Sequence, residues 1–399
     1  MSELGDLFLK RLAQTSDAPI ALEISRAEGS WLITTDGRRY LDFIAGIGVS
    51  ALGHGHPKVI AAIEAQLRRH LHVMVYGEYV IEAQVQLARR LTELLPPKLE
   101  RVYFTNSGAE AIEGALKAAR KFTRREGFVA FDGSYHGDTM GALALAGNPT
   151  FRAPFGALPG PVRHLPFADS RALDQIDSAV AAVVIEPVQA EGGVRIPDAA
   201  FMRSLRARCD DVHALLIFDE VLTGFARTGK LFALEHFGVV PDIIVLAKAL
   251  GGGLPLGAFC GSDQIIGTLS HDPPLGHITT FGGHPLSCAA ALASLDVIVK
   301  QNLSERAVTI GGEIARRLRE LKTPEIKAVR AIGLLIGIEF ADAQFAHRFV
   351  AETISRGVII NWTLNADNVV RLAPPLTIEM TEVDFAFDAM IEALDAARH

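Results

Sequence analysis

Short apolar, β-branched runs alternate along this chain with stretches that have the period of a helix, and this alternation constrains the fold most. The strand-like runs are RVYFT (101–105), GFVAFDG (127–133), AAVVIEP (181–187), ALLIFDE (214–220) and DIIVLAKAL (242–250), with helical stretches such as AEAIEGALKAARKFTRR (109–125) between them. Runs that end in Gly- or acid-containing loops are typical of parallel strands covered by helices on both faces. The pattern predicts an α/β fold with a mostly parallel central sheet.

The length of the chain predicts more than one domain. The chain has 399 residues, whereas a single core usually stops growing at about 250–300 residues. Past about residue 300 the pattern changes to an amphipathic helix (309–322), two strand-like segments (327–340) and a terminal helix (381–398). We predict an N-terminal segment, 1–50, that joins the small domain and carries a hairpin at 33–43, a large domain over 51–295, and a small α+β domain over 296–399.

Charge and cysteine usage narrow the class of protein. The chain carries 39 Lys and Arg against 46 Asp and Glu, a net charge of −7, which opposes binding to nucleic acid or to an anionic membrane. Its three cysteines show no CxxC spacing, as expected in a reducing compartment. No signal peptide or run of about 18 apolar residues is visible. We therefore expect a cytoplasmic protein that binds neither nucleic acid nor membranes.

Two of the histidines raise the question of a metal site. His54 and His56 lie close together in Leu52-Gly-His-Gly-His-Pro57 and could ligate a metal. No further Cys, His or acidic cluster at ligand spacing accompanies them, so we expect loop histidines and no metal.

A candidate anion site follows the first strand of the predicted sheet. Asn106-Ser107-Gly108-Ala109 joins RVYFT to the helix that follows it. The free N–H groups and the positive end of that helix favour an anion, Ser107 adds a donor, and Gly108 permits close approach. An ordinary helix cap, with Ser107 paired to Glu110, is an equally good interpretation of these residues.

Three further residues at strand ends have compatible chemistry. Asp219 ends one strand, where α/β sheets place ligand contacts, although such acids are also common helix caps. Lys248 lies between an apolar strand and three glycines, where burial would lower its pKa toward that of a usable nucleophile; the alternative is a lysine that emerges into solvent. Tyr135 offers an aromatic face on a glycine-flanked loop, or packs on the core. Together they match what pyridoxal phosphate requires: a phosphate cradle, a partner for the ring N–H, a Schiff-base lysine and a stacking surface.

The sequence resembles the class-III (ornithine/acetylornithine-type) pyridoxal-phosphate aminotransferases of fold type I over nearly its whole length. The motifs that carry this resemblance are Tyr40-Leu-Asp-Phe43, Leu52-Gly-His-Gly-His-Pro57, Asn106-Ser-Gly-Ala-Glu110, Tyr135-His-Gly137, Glu186-Pro187, Glu191-Gly-Gly193, Asp219-Glu220, Thr223-Gly224, Arg227-Thr-Gly-Lys230, Pro241-Asp242, Lys248 and Thr280-Phe-Gly-Gly-His-Pro285.

The resemblance implies roles for individual residues. Lys248 would form the aldimine with pyridoxal phosphate, and Asp219 would pair with its ring nitrogen. Tyr135 and Val221 would contact the two ring faces, with Glu186 nearby. The residues implied to hold phosphate are Ser107, Gly108, Ala109 and, in the neighbouring subunit's site of a homodimer, Thr280. Arg371 would bind a substrate carboxylate, and Glu191 would neutralise Arg371 when an uncharged or cationic substrate end is present.

Two positions depart from the family pattern. Where relatives that use acetylornithine, ornithine or 4-aminobutyrate have Arg after His-Gly, this chain has Asp138, which together with Glu78 would suit a substrate with a distal cation. The alternative is that Asp138 caps a helix and faces away. Leu222 stands where the family usually has a Gln that contacts the cofactor's phenolic oxygen.

We therefore expect ping-pong transfer of an amino group from an amine, ω-amino or diamino compound to an oxo acid such as 2-oxoglutarate or pyruvate. An acetylornithine/ornithine-type aminotransferase and a class-III racemase or aminomutase are the alternatives. A non-catalytic protein with this fold would be expected to lack Lys248 or Asp219.

Overall fold

A computed structural model describes residues 2–399 as three β-sheets and their covering helices. The helices are α1 Glu3–Arg11, α2 Ala45–Gly48, α3 Pro57–Leu67, α4 Glu82–Leu94, α5 Gly108–Thr123, α6 Met140–Ala144, α7 Pro149–Arg152, α8 Ala199–Val212, α9 Asp263–Ile266, α10 Pro285–Lys300, α11 Leu303–Glu320, α12 Ala343–Ser355 and α13 Met380–Ala396. The strands are β1 Ile24–Glu28, β2 Trp31–Thr34, β3 Arg39–Asp42, β4 Arg101–Thr105, β5 Gly127–Phe131, β6 Val162–Leu165, β7 Val180–Ile185, β8 Leu215–Asp219, β9 Ile243–Leu246, β10 Gly257–Gly261, β11 Ile326–Ile332, β12 Leu335–Phe340, β13 Val358–Ile359, β14 Asn361–Thr363 and β15 Ala366–Leu372.

The central sheet has seven strands in the order β4-β10-β9-β8-β7-β5-β6. Its neighbours β6, β5, β7, β8 and β9 pair in parallel, and only β10 runs antiparallel to both β9 and β4. The mostly parallel sheet predicted from the sequence is confirmed. Because β10 is the sole reversed strand, the carboxyl ends of the other six strands lie at one edge of the sheet.

Both faces of this sheet are covered, as the continuous apolar strands require. Along β8, Leu215 and Ile217 belong to one apolar cluster, and Leu216 and Phe218 belong to another. The first cluster contains the buried face of α5, on which apolar residues recur every three or four positions, and the second contains the buried face of α8. Side chains alternate across a strand, so α5 and α8 cover opposite faces of the sheet.

Two smaller sheets complete the fold. One has the order β1-β2-β3-β13 and the other β11-β12-β15-β14. The predicted hairpin around Asp36-Gly37 is confirmed as β2 and β3, and β13 pairs in parallel with β3. The beginning of the chain and its last hundred residues therefore share a sheet.

The division into residues 1–50, 51–295 and 296–399 stays a prediction. Its second boundary falls inside α10, which runs without a break from Pro285 to Lys300. Among residues 2–399 no single helix is long and apolar enough to cross a membrane, although α10 and α11, bent by 68° at their junction, pass that test as a pair by length and composition.

Candidate active site

A cavity of about 520 Å³ lies at the carboxyl edge of the central sheet. Its walls are the segments that follow the parallel strands: 106–109 after β4, 135–138 after β5, 186–191 after β7, 219–223 after β8 and 247–248 after β9. In open α/β sheets this edge is where ligands bind, because the loops there converge. The volume is in the range of about 300–1,000 Å³ typical of small-molecule sites.

The structure brings most of the predicted site residues to this cavity. Those that line it are Ser107, Gly108, Ala109, Tyr135, Asp138, Glu186, Glu191, Asp219, Val221 and Lys248. Arg371 lies directly behind this wall as the ion-pair partner of Glu191. Thr280 and Glu78 are exposed residues outside the lining, so this subunit alone does not bring them to the cavity.

The turn before α5 caps the helix and is also the candidate anion site. Ser107 Oγ accepts a hydrogen bond from the Glu110 amide at 3.2 Å, so the capping interpretation is confirmed. The first amides of any helix have no intrahelical partner and favour an anion. Gly108 is needed for close packing, since a Cβ there would lie 3.0 Å from Val221 Cγ2. The capping bond therefore does not exclude an anion site at the N-terminal end of α5.

Asp219, at the end of β8, is held from two sides. Its Oδ1 accepts the Val221 amide at 3.0 Å, and its Oδ2 lies 2.7 Å from Nδ1 of His136. Both side chains are buried. A carboxylate can only accept hydrogen bonds, so Nδ1 of His136 carries the hydrogen that it shares with Asp219. The carboxylate thus enters the cavity in a fixed orientation.

Lys248 follows β9 in a strained backbone conformation. Its φ of +48° is in the left-handed region, which costs a non-glycine residue about 1–2 kcal/mol and is typical of functional positions. Burial is the main cause that lowers the pKa of its ammonium, opposed by the nearby carboxylates Glu191, Asp219 and Glu186. The alternative of a lysine that emerges freely into solvent is not what the structure contains.

Glu186 is a second buried carboxyl group beside Asp219. Burial, followed by the charge of Asp219, raises its pKa well above the ordinary value. Its two oxygens accept the amides of Tyr135 at 3.2 Å and of Ala190 at 3.4 Å. Glu186 therefore ties the aromatic loop to the loop that carries Glu191.

Asp138 lines the cavity and does not cap the following helix. The N-cap of α6 is Thr139, and the Glu113 carboxylate accepts the first α6 amides instead. Asp138 Oδ2 accepts a hydrogen bond from the Tyr135 hydroxyl at 2.7 Å, and burial, strengthened by this bond, raises the pKa of Tyr135. The alternative in which Asp138 caps a helix is wrong.

Glu191 and Arg371 form an ion pair at the cavity wall. Arg371, in β15, is 1% exposed, and its Nη1 donates to Glu191 Oε1. Burial is the largest single influence and would raise the pKa of Glu191, but the charge and hydrogen bond of Arg371, the Leu364 amide and the Lys248 charge together lower it. The charge of the buried Arg371 is therefore balanced by Glu191.

The donor set fits pyridoxal phosphate. The cavity combines free helix amides behind a glycine whose Cβ would clash, a carboxylate fixed by His136, an aromatic ring at Tyr135 and a buried amine at Lys248. Leu222 also lines the cavity, and a Cβ at Gly48 would lie 3.1 Å from its Cδ1. An apolar group thus occupies the position where a hydrogen-bonding side chain was expected. Within residues 2–399 no group of three His, Cys, Asp or Glu could hold a metal ion.

His136, Leu364 and Asn365 contact residues of this site but had no role assigned to them from the sequence. His136 was part of the Tyr135-His-Gly137 motif, and its position one residue after the ring-stacking tyrosine was the available signal. Leu364 and Asn365, at the turn between β14 and β15, contact Glu191 across the fold. Nothing in the local sequence could have indicated that contact, because it joins residues about 170 positions apart.

Comparison with known proteins gives a consistent family. The model of the class-III aminotransferases matches residues 12–394. The chain is 42% identical over 371 residues to the acetylornithine aminotransferase of Methanopyrus kandleri, covering 93% of each protein. It is also 42% identical over 369 residues to the putrescine aminotransferase of Pectobacterium atrosepticum, covering 88% of this chain and 78% of that one. The solved ornithine aminotransferase of Toxoplasma gondii, which contains partially occupied pyridoxal phosphate, superposes with a TM-score of 0.92 at 31% identity, covering 99% of this chain and 94% of that one.

Proposed function

Because the chain belongs to the class-III aminotransferases, it is a pyridoxal-phosphate-dependent transaminase, and we propose that it takes its amino group from an amine, diamine or ω-amino compound with a distal cation. The observation that carries this proposal is the position of Asp138. Its carboxylate lines the cavity, where it accepts the Tyr135 hydroxyl and is not used by a helix. An anionic group there favours a substrate ammonium and disfavours a substrate carboxylate.

We propose that different residues hold the phosphate, the ring and the covalent link of the cofactor. The amides of Ser107, Gly108 and Ala109 would bind the phosphate at the positive end of α5. Asp219 would hold the proton on the ring nitrogen, and Tyr135 and Val221 would contact the ring faces. Lys248 would carry the covalent link through its Nζ.

The cofactor supplies an electron sink that stabilises negative charge on the substrate carbon bearing the amino group. Asp219 would serve this chemistry as the hydrogen-bond acceptor for the ring nitrogen, in the orientation fixed by the Val221 amide and His136. Lys248 Nζ would take the proton from that carbon, since burial lowers its pKa and so increases the fraction of free amine near neutral pH. The walls of the cavity keep both groups in place.

The second half-reaction requires a carboxylate site for the oxo acid. We propose that Arg371 binds this carboxylate after Glu191 leaves it, while Glu191 covers Arg371 when the amine donor is present. A bidentate arginine contact is strong enough to select a carboxylate. The same wall can then accept substrates of opposite charge in turn.

We also propose that the active unit is a cytoplasmic homodimer. Thr280 is exposed in this subunit and outside its cavity, as a residue that serves the neighbouring subunit's phosphate would be. The three cysteines are buried free thiols among the described residues, which supports a reducing compartment. Glu78 is exposed as well, so its proposed contact with substrate would also require the partner subunit.

Two amino donors distinguish this proposal from the alternative of acetylornithine-type aminotransfer. Single-turnover rates of the holoenzyme with putrescine and with N-acetylornithine are to be measured for the wild type and for Asp138→Asn, which preserves size and can still accept from Tyr135. Losing a charged contact costs about 1.5–3 kcal/mol, so kcat/KM for putrescine should fall about 10- to 150-fold. The N-acetylornithine rate should change far less.

The reverse substitution sharpens the test. Asp138→Arg should favour carboxylate-bearing donors such as N-acetylornithine, because it restores an anion contact. A wild type that already prefers N-acetylornithine, or an Asp138→Asn variant with unchanged putrescine kinetics, would refute the distal-cation proposal. The second candidate, acetylornithine-type aminotransfer, would then stand, supported by 42% identity to the acetylornithine aminotransferases of two archaea.

A further inference from the structure

The turn between β14 and β15 contacts Glu191, a residue of the cavity wall that is distant in sequence. We call Leu364 and Asn365 the hairpin tip; they join Thr363 and Ala366, which pair directly across the hairpin. Thr363 Oγ1 donates to the Ala366 carbonyl at 2.7 Å, so the turn is closed by its own hydrogen bond. Leu364 is 41% exposed. The tip is thus a short, internally fixed element at the surface of the cavity wall.

The hairpin tip holds Glu191 by two backbone hydrogen bonds. The Leu364 amide donates to Glu191 Oε2 at 3.0 Å, and the Asn365 amide donates to the Glu191 carbonyl at 2.8 Å. Glu191 Oε1 is meanwhile bonded to Arg371. The two carboxylate oxygens of Glu191 therefore have different partners. Oε1 binds Arg371, and Oε2 binds the hairpin tip.

The hairpin tip is also anchored to the loop that precedes Tyr135. Asn365 Nδ2 donates to the carbonyls of Gly133 at 3.0 Å and Ser134 at 3.2 Å. Its Oδ1 is buried without a hydrogen-bond partner in the described part of the chain. The Asn365 side chain therefore contributes to this contact only as a donor, through Nδ2.

From these contacts we propose that the hairpin tip is a latch that holds Glu191 on Arg371 and so sets how readily a carboxylate substrate is admitted. The inference rests on the proposed exchange of Glu191 for a substrate carboxylate at Arg371. Asn365 fixes the tip against the Gly133–Ser134 loop, and the Leu364 amide then holds Glu191 Oε2. Leu364 and Asn365 are positioning residues, which act through Glu191.

The latch has consequences of opposite sign for the two substrates. A carboxylate that binds Arg371 must break the Leu364–Glu191 bond, so loosening the tip should strengthen carboxylate binding. An amine donor needs Arg371 covered, so the same change should weaken the donor half-reaction. A change that merely damages the fold would weaken both.

The test uses the holoenzyme and glutarate, a dicarboxylate that carries no oxo group. Calorimetric titration gives its dissociation constant without turnover, and single-turnover kinetics with putrescine give the donor half-reaction. Asn365→Ala removes the two side-chain bonds and should tighten glutarate binding about 5-fold, while kcat/KM for putrescine falls. Asn365→Ser, which keeps a polar turn residue, must give the same result if Asn365→Ala does not fold.

Asn368, three residues after Asn365 and within β15, provides a matched control. Asn368 in β15 also donates its side-chain amide to a backbone carbonyl, that of Phe340 at 3.2 Å, but it is outside the cavity lining. Asn368→Ala should change neither glutarate binding nor the donor half-reaction. An Asn368→Ala variant that behaves like Asn365→Ala would reduce the effect to general destabilisation and overturn the latch.

Glu191→Gln completes a double-mutant cycle. It should tighten glutarate binding by itself, and Asn365→Ala added to it should change the constant less than about two-fold, because the latch no longer has its carboxylate to hold. Independent, additive effects, or an Asn365→Ala variant that binds glutarate no more tightly than the wild type, would overturn the latch alone. Glutarate binding that survives Arg371→Ala would overturn both the latch and the proposed carboxylate site.

Discussion

Replacing His136 tests whether the buried imidazole sets the activity of Asp219. Its Nδ1 lies 2.7 Å from Asp219 Oδ2, and the Val221 amide at 3.0 Å is the other support of the carboxylate. His136→Leu fills a similar space but leaves Oδ2 without its donor. A hydrogen bond to a charged group contributes about 1.5–3 kcal/mol, so kcat/KM should fall about 10- to 150-fold if the lost orientation appears fully in the transition state.

His136→Asn supplies the matched comparison. The Asn amide nitrogen lies at nearly the same distance from Cα as imidazole Nδ1, so it can restore the donor to Asp219. We expect His136→Asn to recover most of the activity lost in His136→Leu. Asp219→Asn cannot hold the ring proton, so this variant should bind cofactor yet lose several orders of magnitude of activity. Its rate sets the lower limit for the series.

Single-turnover kinetics and cofactor dissociation constants for both variants provide the assay, with thermal melting as the control for folding. If Nδ1 of His136 orients Asp219, the His136→Leu and His136→Asn variants should differ in rate even when their melting temperatures are similar. Wild-type kinetics in His136→Leu, or equal losses in the two variants, would refute it. Nε2 of His136 is buried without a partner among residues 2–399, so the effect would be carried by Nδ1 alone.

Three further predictions concern attachment, assembly and pH. Borohydride reduction of the holoenzyme should fix the cofactor to Lys248, and Lys248→Ala should abolish both attachment and turnover; a label on another lysine would contradict the assignment. Mixed dimers of Lys248→Ala and Thr280→Ala chains should regain part of the activity, because one of their two sites carries neither change, and mixed dimers without recovery would exclude the shared site. Burial raises the pKa of Glu220 to about 7 from 4.5. The stability this group contributes is therefore fully present below pH 4.5 and lost as pH rises through 7, by about 3 kcal/mol. Urea unfolding of wild type and Glu220→Gln at pH 5 and 8, with excess cofactor, should give a flatter dependence in the variant, and identical slopes would count against this account.

The convergence of the site was predictable because of strand direction. Four of the site residues follow different strands by a few positions, namely Ser107, Tyr135, Glu186 and Lys248, and Asp219 is the last residue of another strand. Once those strands are parallel, their ends must meet at one edge whatever the intervening helices do. The alternation of apolar runs with helical stretches predicted the parallel strands, so the meeting of these residues required no knowledge of long-range contacts, although Glu186 was singled out only by the family resemblance.

Strand β10 illustrates what local patterns do not contain. Its sequence GAFCG begins and ends with glycine, which lowers strand propensity, and no clear period marks it. It forms because it pairs on both sides, with β4 and β9, and is entirely buried. Tertiary pairing therefore outweighed a weak local preference at this position.

The packing around the charged residues Glu191, Arg371 and Asp138 could not be predicted from the sequence, for a related reason. Arg371 was expected to bind a carboxylate, yet its burial at 1% exposure and its neighbour Arg227 became apparent only in the fold. Asp138 was an equal choice between a helix cap and a cavity residue, and the N-cap of α6 at Thr139, one residue later, decided it. Such contacts depend on how loops from distant segments pack.

The arrangement of charges explains how one cavity could serve a cationic donor and an anionic acceptor. In the resting structure Asp138, Asp219 and Glu191 face the cavity, and the Arg371 cation is covered by Glu191. The raised pKa of Glu186 favours its uncharged form and limits this negative charge. An amine is attracted to such a wall, whereas an oxo acid must displace Glu191 to reach Arg371. In the proposed exchange, movement of Glu191 alone would uncover the Arg371 cation, and the bonds that restrain Glu191 would set the balance between the two half-reactions.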